Sequence, residues 1–209
     1  MLKDFKEIQI ELAKKVRLVS LRKEPRLIGG CDVGYLDRDL AKGAFVVVRY
    51  PEFEIVDVVK VVKEIEFPYV PGYLAFREVP ILLEAFQRLQ KIPDLILVDG
   101  QGIAHPRKAG LAVFLGVELG IPTIGCAKKP LLKYEGELNP ERGARLPIYL
   151  SRETVGYVLR TRTGVKPLFV SPGNLITLDE AVAWVLKTAI RFRLPEPLRE
   201  AHRLSIEKN

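Results

Sequence analysis

Three acids stand where a carboxylate needs a reason. Asp32 interrupts the apolar run Leu27-Ile28-Gly29-Gly30-Cys31-Asp32-Val33, and a carboxylate inside a strand is costly unless something pairs with it. Asp99 ends the apolar stretch Leu95-Ile96-Leu97-Val98 and precedes Gly100-Gln101-Gly102; ligands of open α/β sheets gather beyond the carboxyl ends of such strands. Glu78 stands just before Pro80, at the expected entrance of a helix. Two of the three have a purely structural alternative: Asp99 as a loop residue binding its own backbone, Glu78 as an acid on the positive end of a helix dipole. If the three converge, they form an oxygen-rich anionic pocket suited to hard Mg²⁺. Softer metals lack ligands, because the chain has 2 His and 2 Cys that are not paired in sequence. A metal held by acids in a basic protein is the composition of a phosphodiester hydrolase, where it would activate water, polarise the phosphate and neutralise the leaving oxygen.

Further groups cluster near these acids. The loop after Asp99 runs Gly102-Ile103-Ala104-His105-Pro106-Arg107-Lys108-Ala109-Gly110. Its glycines let backbone amides approach a ligand, and a helix start favours phosphate. His105, read at that helix start, is either a cap or a catalytic group. Lys128, at the end of the run 123–127, is either solvated or aimed at the same sheet end as Asp99. The segment Phe67-Pro68-Tyr69-Val70-Pro71-Gly72 carries an aromatic on a loop stiffened by two prolines. It is a rigid turn with Tyr69 packed down, or a wedge that stacks between unstacked bases.

These groups need a scaffold, and 209 residues with 48% hydrophobic content suffice for one core. No long polar or Gly/Pro-rich linker divides the chain, so one domain over 1–209 is expected. The balance of 33 Lys+Arg against 26 Asp+Glu gives a formal +7, which suits an anionic partner such as nucleic acid. Cys31 and Cys126 form no CxxC pair, the first residues do not read as a signal peptide, and no apolar run is long enough for a membrane. A cytoplasmic, monomeric protein with no membrane contact is expected.

Apolar residues at helical spacing predict an amphipathic helix over 3–19. Val- and Ile-rich runs at 26–36, 43–50 and 55–65, joined by short turns, predict a three-stranded antiparallel meander. Helices follow from Pro80 and over 111–119, with Pro106 opening the second. Buried strands are predicted over 94–99 and 122–127, further strands over 154–160 and 167–170, and closing helices over 178–190 and 198–204. Residues 130–148 read as an irregular surface excursion. The sum is an α/β mixed sheet, a meander followed by alternating helices and strands, with helices on both faces.

Several blocks resemble the endonuclease V family: Gly-Cys-Asp-Val around Asp32, Phe-Pro-Tyr-Val-Pro-Gly-Tyr-Leu-Ala-Phe-Arg-Glu at 67–78, Val-Asp-Gly-Gln-Gly-Ile-Ala-His-Pro-Arg at 98–107, Pro-Thr-Ile-Gly-Cys-Ala-Lys at 122–128 and Val-Ser-Pro-Gly at 170–173. The resemblance implies a ribonuclease-H-like fold and Mg²⁺-dependent cleavage at deoxyinosine in DNA. The bond cut would be the second phosphodiester 3′ to the lesion, leaving 3′-hydroxyl and 5′-phosphate ends. It implies that Asp32, Glu78 and Asp99 bind the metal, that His105 and Lys128 lie near the scissile phosphate, and that His202 lies near the metal. Tyr69 would be the strand-separating wedge; Gly72, Leu74, Gly100 and Gly110 would meet the substrate around a flipped base. The sequence departs from some relatives at Asn174, where they carry His, and over 130–148.

Two other readings compete. One is the same chemistry on inosine-containing RNA; the other is a non-catalytic module whose basic surface holds nucleic acid passively. A base-excising glycosylase would leave the backbone intact and need no metal. Any nucleic-acid reading carries a common expectation: affinity for duplex DNA should fall steeply with salt, each phosphate contact adding roughly 0.9 to the log–log slope. A flat salt titration by fluorescence anisotropy would contradict it.

Overall fold

The Val- and Ile-rich runs pair with their nearest neighbours in sequence. In the computed structural model, which describes residues 2–207, β1 (Leu27–Tyr35), β2 (Leu40–Arg49) and β3 (Glu54–Glu64) form the expected antiparallel meander. The chain then crosses over through α2 (Leu74–Gln87) to β4 (Leu95–Val98), parallel to β1, and through α3 (Leu111–Leu119) to β5 (Thr123–Ala127), parallel to β4. A second antiparallel group, β6 (Arg145–Leu150), β7 (Glu153–Leu159) and β8 (Leu168–Asn174), joins through β8 alongside β5. The sheet has eight strands in the order β3-β2-β1-β4-β5-β8-β7-β6. The helix α1 (Leu2–Lys14) precedes it; α4 (Leu178–Thr188) and α5 (Glu196–Ile206) close it.

Alternation along the strands gives the sheet two apolar faces. Ile28, Leu95, Leu97 and Ile124 pack under α4 and α5, whereas Cys31, Ile96 and Val98 pack under α2 and α3. Helices on both faces were expected. Both cysteines are free and buried, and no helix among the described residues is long and apolar enough to cross a membrane.

Four local expectations are corrected. The helix expected to open at Pro80 opens at Leu74, and Pro80 lies inside it. Tertiary packing overrides the proline there: Phe76, in the first turn, meets the rings of Phe5, Phe67 and Phe114 at centroid distances of 4.6, 5.7 and 5.1 Å. Glu78 is therefore a buried residue of the helix body and not a helix-start acid. Pro106 and His105 precede α3, whose N-cap is Gly110, so His105 stands in a turn and not at a helix start. The stretch 130–148 is irregular only as far as Ala144; Arg145 begins the edge strand β6.

The helix α5 lies directly on β1 because two strand positions have no side chain. A Cβ on Gly30 would stand 2.3 Å from the carbonyl carbon of Pro197, and one on Gly34 would stand 2.3 Å from the Ser205 carbonyl oxygen. The buried Lys42 on β2 donates to the Glu207 carbonyl at 2.6 Å, beyond the far end of the helix. Gly30→Ala should then destabilise the protein by about 3 kcal/mol or more, because backbone has to move. Urea denaturation measures it; a loss under about 0.5 kcal/mol, the range of surface substitutions, would show that α5 yields freely.

Candidate active site

Parallel pairing of β1 with β4 runs from Ile28 opposite Leu95 to Cys31 opposite Val98. Asp32 and Asp99 each follow the last paired residue, so the register sets them side by side at the carboxyl end of the parallel strands. The next parallel strand, β5, ends at Ala127, and Lys128 emerges at the same rim. Lys128 forms an ion pair with Asp99. From the α5 side, His202 brings Nδ1 to 2.7 Å from Asp32 Oδ2, and the buried Ser205 hydroxyl donates to the same oxygen at 2.8 Å. Lys128 Nζ lies 3.1 Å from that same Nδ1. The nitrogen can donate to Asp32 or accept from Lys128, and cannot do both at once.

Among the described residues, Asp32, Asp99 and His202 offer ligand atoms that all lie within 4.8 Å of one another. Glu78 is outside that tight group. It approaches from the α2 face, with Oε1 accepting a 2.6 Å hydrogen bond from the Tyr35 hydroxyl, while Arg77 stacks over the Tyr35 ring at 4.9 Å. Burial, aided by the charges of Asp32 and Asp99, raises the Glu78 carboxyl to about 8. Burial and the neighbouring Asp32 likewise raise Asp99, against the pull of Lys128. Crowded carboxylates that resist ionisation are what a hard divalent cation relieves, and a donor set of carboxylates with one imidazole fits such an ion.

Beside the acids opens a cavity of about 490 Å³, lined by Asp99, Lys128, Tyr69, Gly72, Leu74, Gly100, His105 and Gly110 among others. The structure thus gathers the residues expected around a base. Tyr69 is 69% exposed at the tip of its loop, against the alternative of a ring packed down. The loop is clamped at Gly72, whose φ is +80°, a conformation that suits glycine. The Gly72 carbonyl accepts from Gln9 Nε2 at 2.9 Å and Arg107 at 2.8 Å, with His105 Nε2 at 3.0 Å. Arg107 also pairs with Gln9 and stacks over Tyr73 at 4.5 Å.

His105 therefore has both ring nitrogens engaged: Nε2 with Gly72, and Nδ1 accepting from the Arg107 amide at 3.1 Å. Burial pushes its pKa down to about 4, which keeps it neutral. In this geometry it braces the Tyr69 loop.

The sequence reasoning missed Tyr35, Ser205 and Gln9, which carry no local signal because their partners lie 43, 173 and 63 residues away. Asn174, where the sequence departs from some relatives, has a structural place. It is buried in β8, accepting from the Arg17 amide at 2.8 Å and donating to the Gly116 carbonyl at 3.0 Å.

Comparison with known proteins identifies a family. The family model described as Endonuclease V matches residues 10–203. A relative named Endonuclease V from Geotalea uraniireducens is 50% identical, covering 99% of this chain and 88% of its own length. The crystal structure of Endonuclease V from Streptomyces avermitilis superposes with a TM-score of 0.91 at 41% identity, over 98% of this chain and 91% of that one. Endonuclease V from Ciona intestinalis, solved with a 24mer DNA containing an inosine followed by a ribo-adenosine, gives 0.82 at 28% identity, over 98% and 95%. The expected ribonuclease-H-like architecture holds.

The Glu78 shift has a measurable consequence. An unfolded glutamate titrates near 4.5, whereas the buried one holds its proton to about 8. Between those values the native state keeps a proton that the unfolded state has lost, so stability falls as pH rises, by up to about 1.4 kcal/mol per pH unit. Glu78→Gln should flatten that fall in urea denaturation at pH 5 to 8 with a chelator present. Parallel curves for the two proteins would remove Glu78 as its source.

Proposed function

Because this chain belongs to the endonuclease V family and is therefore an endonuclease, we propose that it is a Mg²⁺-dependent DNA-repair enzyme acting at deoxyinosine. It hydrolyses the second phosphodiester bond 3′ to the lesion and leaves 3′-hydroxyl and 5′-phosphate ends. The observation that carries this reading is the adjacency of the acids to a cavity large enough for a base, which Asp99 and its partner Lys128 both line.

Asp32, Asp99, Glu78 and His202 are the residues that would hold the cation. When bound, the ion supplies polarisation of the phosphate and a water activated for attack. The chain's own groups do the rest. Lys128 offers its ammonium at the rim where the phosphate must lie. The cavity receives the extruded base and excludes water from it. Its walls at Gly100 and Gly110 expose backbone, suited to hypoxanthine, which differs from adenine by an acceptor O6 and a protonated N1. Tyr69 fills the gap left in the stack, and His105, Arg107 and Gln9 hold its loop still while it does so. A base leaves a duplex at a cost of a few kcal/mol, least when poorly paired.

The Ciona complex carries a ribonucleotide directly after its inosine, which favours keeping inosine-containing RNA as a second substrate class. Matched DNA and RNA strands cleaved side by side separate the two.

The test is Mg²⁺-dependent nicking of a duplex bearing one inosine, with an adenine control left intact. Asp32→Asn, Asp99→Asn and Glu78→Gln should each slow single-turnover cleavage by about 100-fold or more, since charge stabilisation worth several kcal/mol is removed, while DNA binding changes little. Tyr69→Ala should slow cleavage of the duplex more than of a flexible single strand, stacking being worth about 1–3 kcal/mol. Near-normal turnover in an acid variant would take that acid out of the site, and equal effects of Tyr69→Ala on both substrates would make it a packing residue.

A further inference from the structure

On the α5 side of the acids, away from the base cavity, an exposed aromatic stands among arginines. Phe192, in the turn before α5, is 38% exposed. The Arg199 guanidinium stacks over it at 3.8 Å from the ring centroid, and that of Arg191 lies 5.9 Å away. The carboxylates nearby are already engaged: Glu196 with Arg191, and Glu200 with Arg203. Arg162 is exposed and ties to the same turn, donating to the Arg191 carbonyl at 2.7 Å.

This patch is continuous with the site. Arg199 and His202 are three residues apart on α5, so they share a helix face. Arg193 donates to the Lys128 carbonyl at 3.0 Å and to the Pro167 carbonyl at 2.6 Å. Contacts thus link the cavity, through Asp99 and Lys128, to His202 on α5 and, through Arg193, to the turn that carries Phe192. Resting on the function proposed above, we infer that the Phe192–Arg199 stack is a platform for the nucleic-acid strand leaving the cut bond on its 3′ side. A guanidinium layered on a ring gives a flat cationic surface on which a base stacks while the flanking arginines meet phosphates. A strand held there is drawn across the acids, which is how an enzyme cutting two bonds from the lesion can fix that spacing.

The experiment uses single-stranded inosine oligonucleotides of two kinds, one extending about 12 nucleotides 3′ of the lesion and one ending just past the cut bond. Affinity is read by fluorescence anisotropy with a chelator present. Phe192→Ala and Arg199→Ala should each weaken binding of the long strand about tenfold, the fold-change of one lost stacked base. Neither should affect the short strand, which wild type should bind about as weakly as the variants bind the long one. Phe192→Leu, which keeps apolar bulk without a flat ring, should behave like Phe192→Ala, whereas rescue by leucine would mean a packing role. Equal loss on both strands, no loss on either, or dependence on a 5′ extension would overturn the inference. The function stands apart from this outcome: if wild type nicks the inosine strand in Mg²⁺ while binding ignores Phe192, only the platform fails. If wild type does not nick it, the proposed activity fails whatever the binding shows.

Discussion

Asp32 and Asp99 stand beside each other because β1 and β4 pair in parallel with Cys31 opposite Val98, and the surrounding structure answers the repulsion this register creates. Two like charges about 4 Å apart repel by roughly 4 kcal/mol at the effective dielectric of a protein surface. Lys128 from β5 offsets part of it at Asp99, and His202 and Ser205 from α5 offset part of it at Asp32. Glu78 adds a third carboxyl that burial holds in its protonated form toward neutral pH. Such a donor set fits a hard divalent cation.

The two faces of the sheet divide the labour. On the α2 and α3 face the chain builds the cavity beside the acids and the Tyr69 loop, clamped through the single Gly72 carbonyl by three side chains. On the α5 face it supplies the imidazole and the hydroxyl that hold Asp32. The glycines of β1 let α5 come close enough for those hydrogen bonds. The small residues of Leu27-Ile28-Gly29-Gly30-Cys31-Asp32 are thus as much a part of the site as the acid that ends them.

Strand positions were legible in the sequence because Val/Ile alternation and short turns are local signals, and Asp32 was legible because it breaks one. The start of α2 was not. Pro80 reads locally as a beginning, yet ring packing around Phe76 carries α2 on through it. The strand β6 escaped because an edge strand with Arg145 and Pro147 lacks the alternation of a half-buried one. Asp99 and Lys128 could be set at one sheet end by the strands they follow, but His202 could be tied to them only by resemblance; periodicity cannot bring residue 202 to residue 32. Tyr35 and Ser205 were out of reach entirely, since a hydroxyl that orients a distant carboxylate looks like any other hydroxyl.

The bond from His202 to Asp32 spans 170 positions of the chain, and the remaining groups of the site come from α2, β4 and β5 in between. No contiguous half of the polypeptide contains a working constellation. Contacts of such separation form late and together, because loop closure must come first. The surroundings of Asp32 are consequently a property of the completed topology: a molecule with α5 peeled away keeps its strands but loses the imidazole and the hydroxyl at that carboxylate.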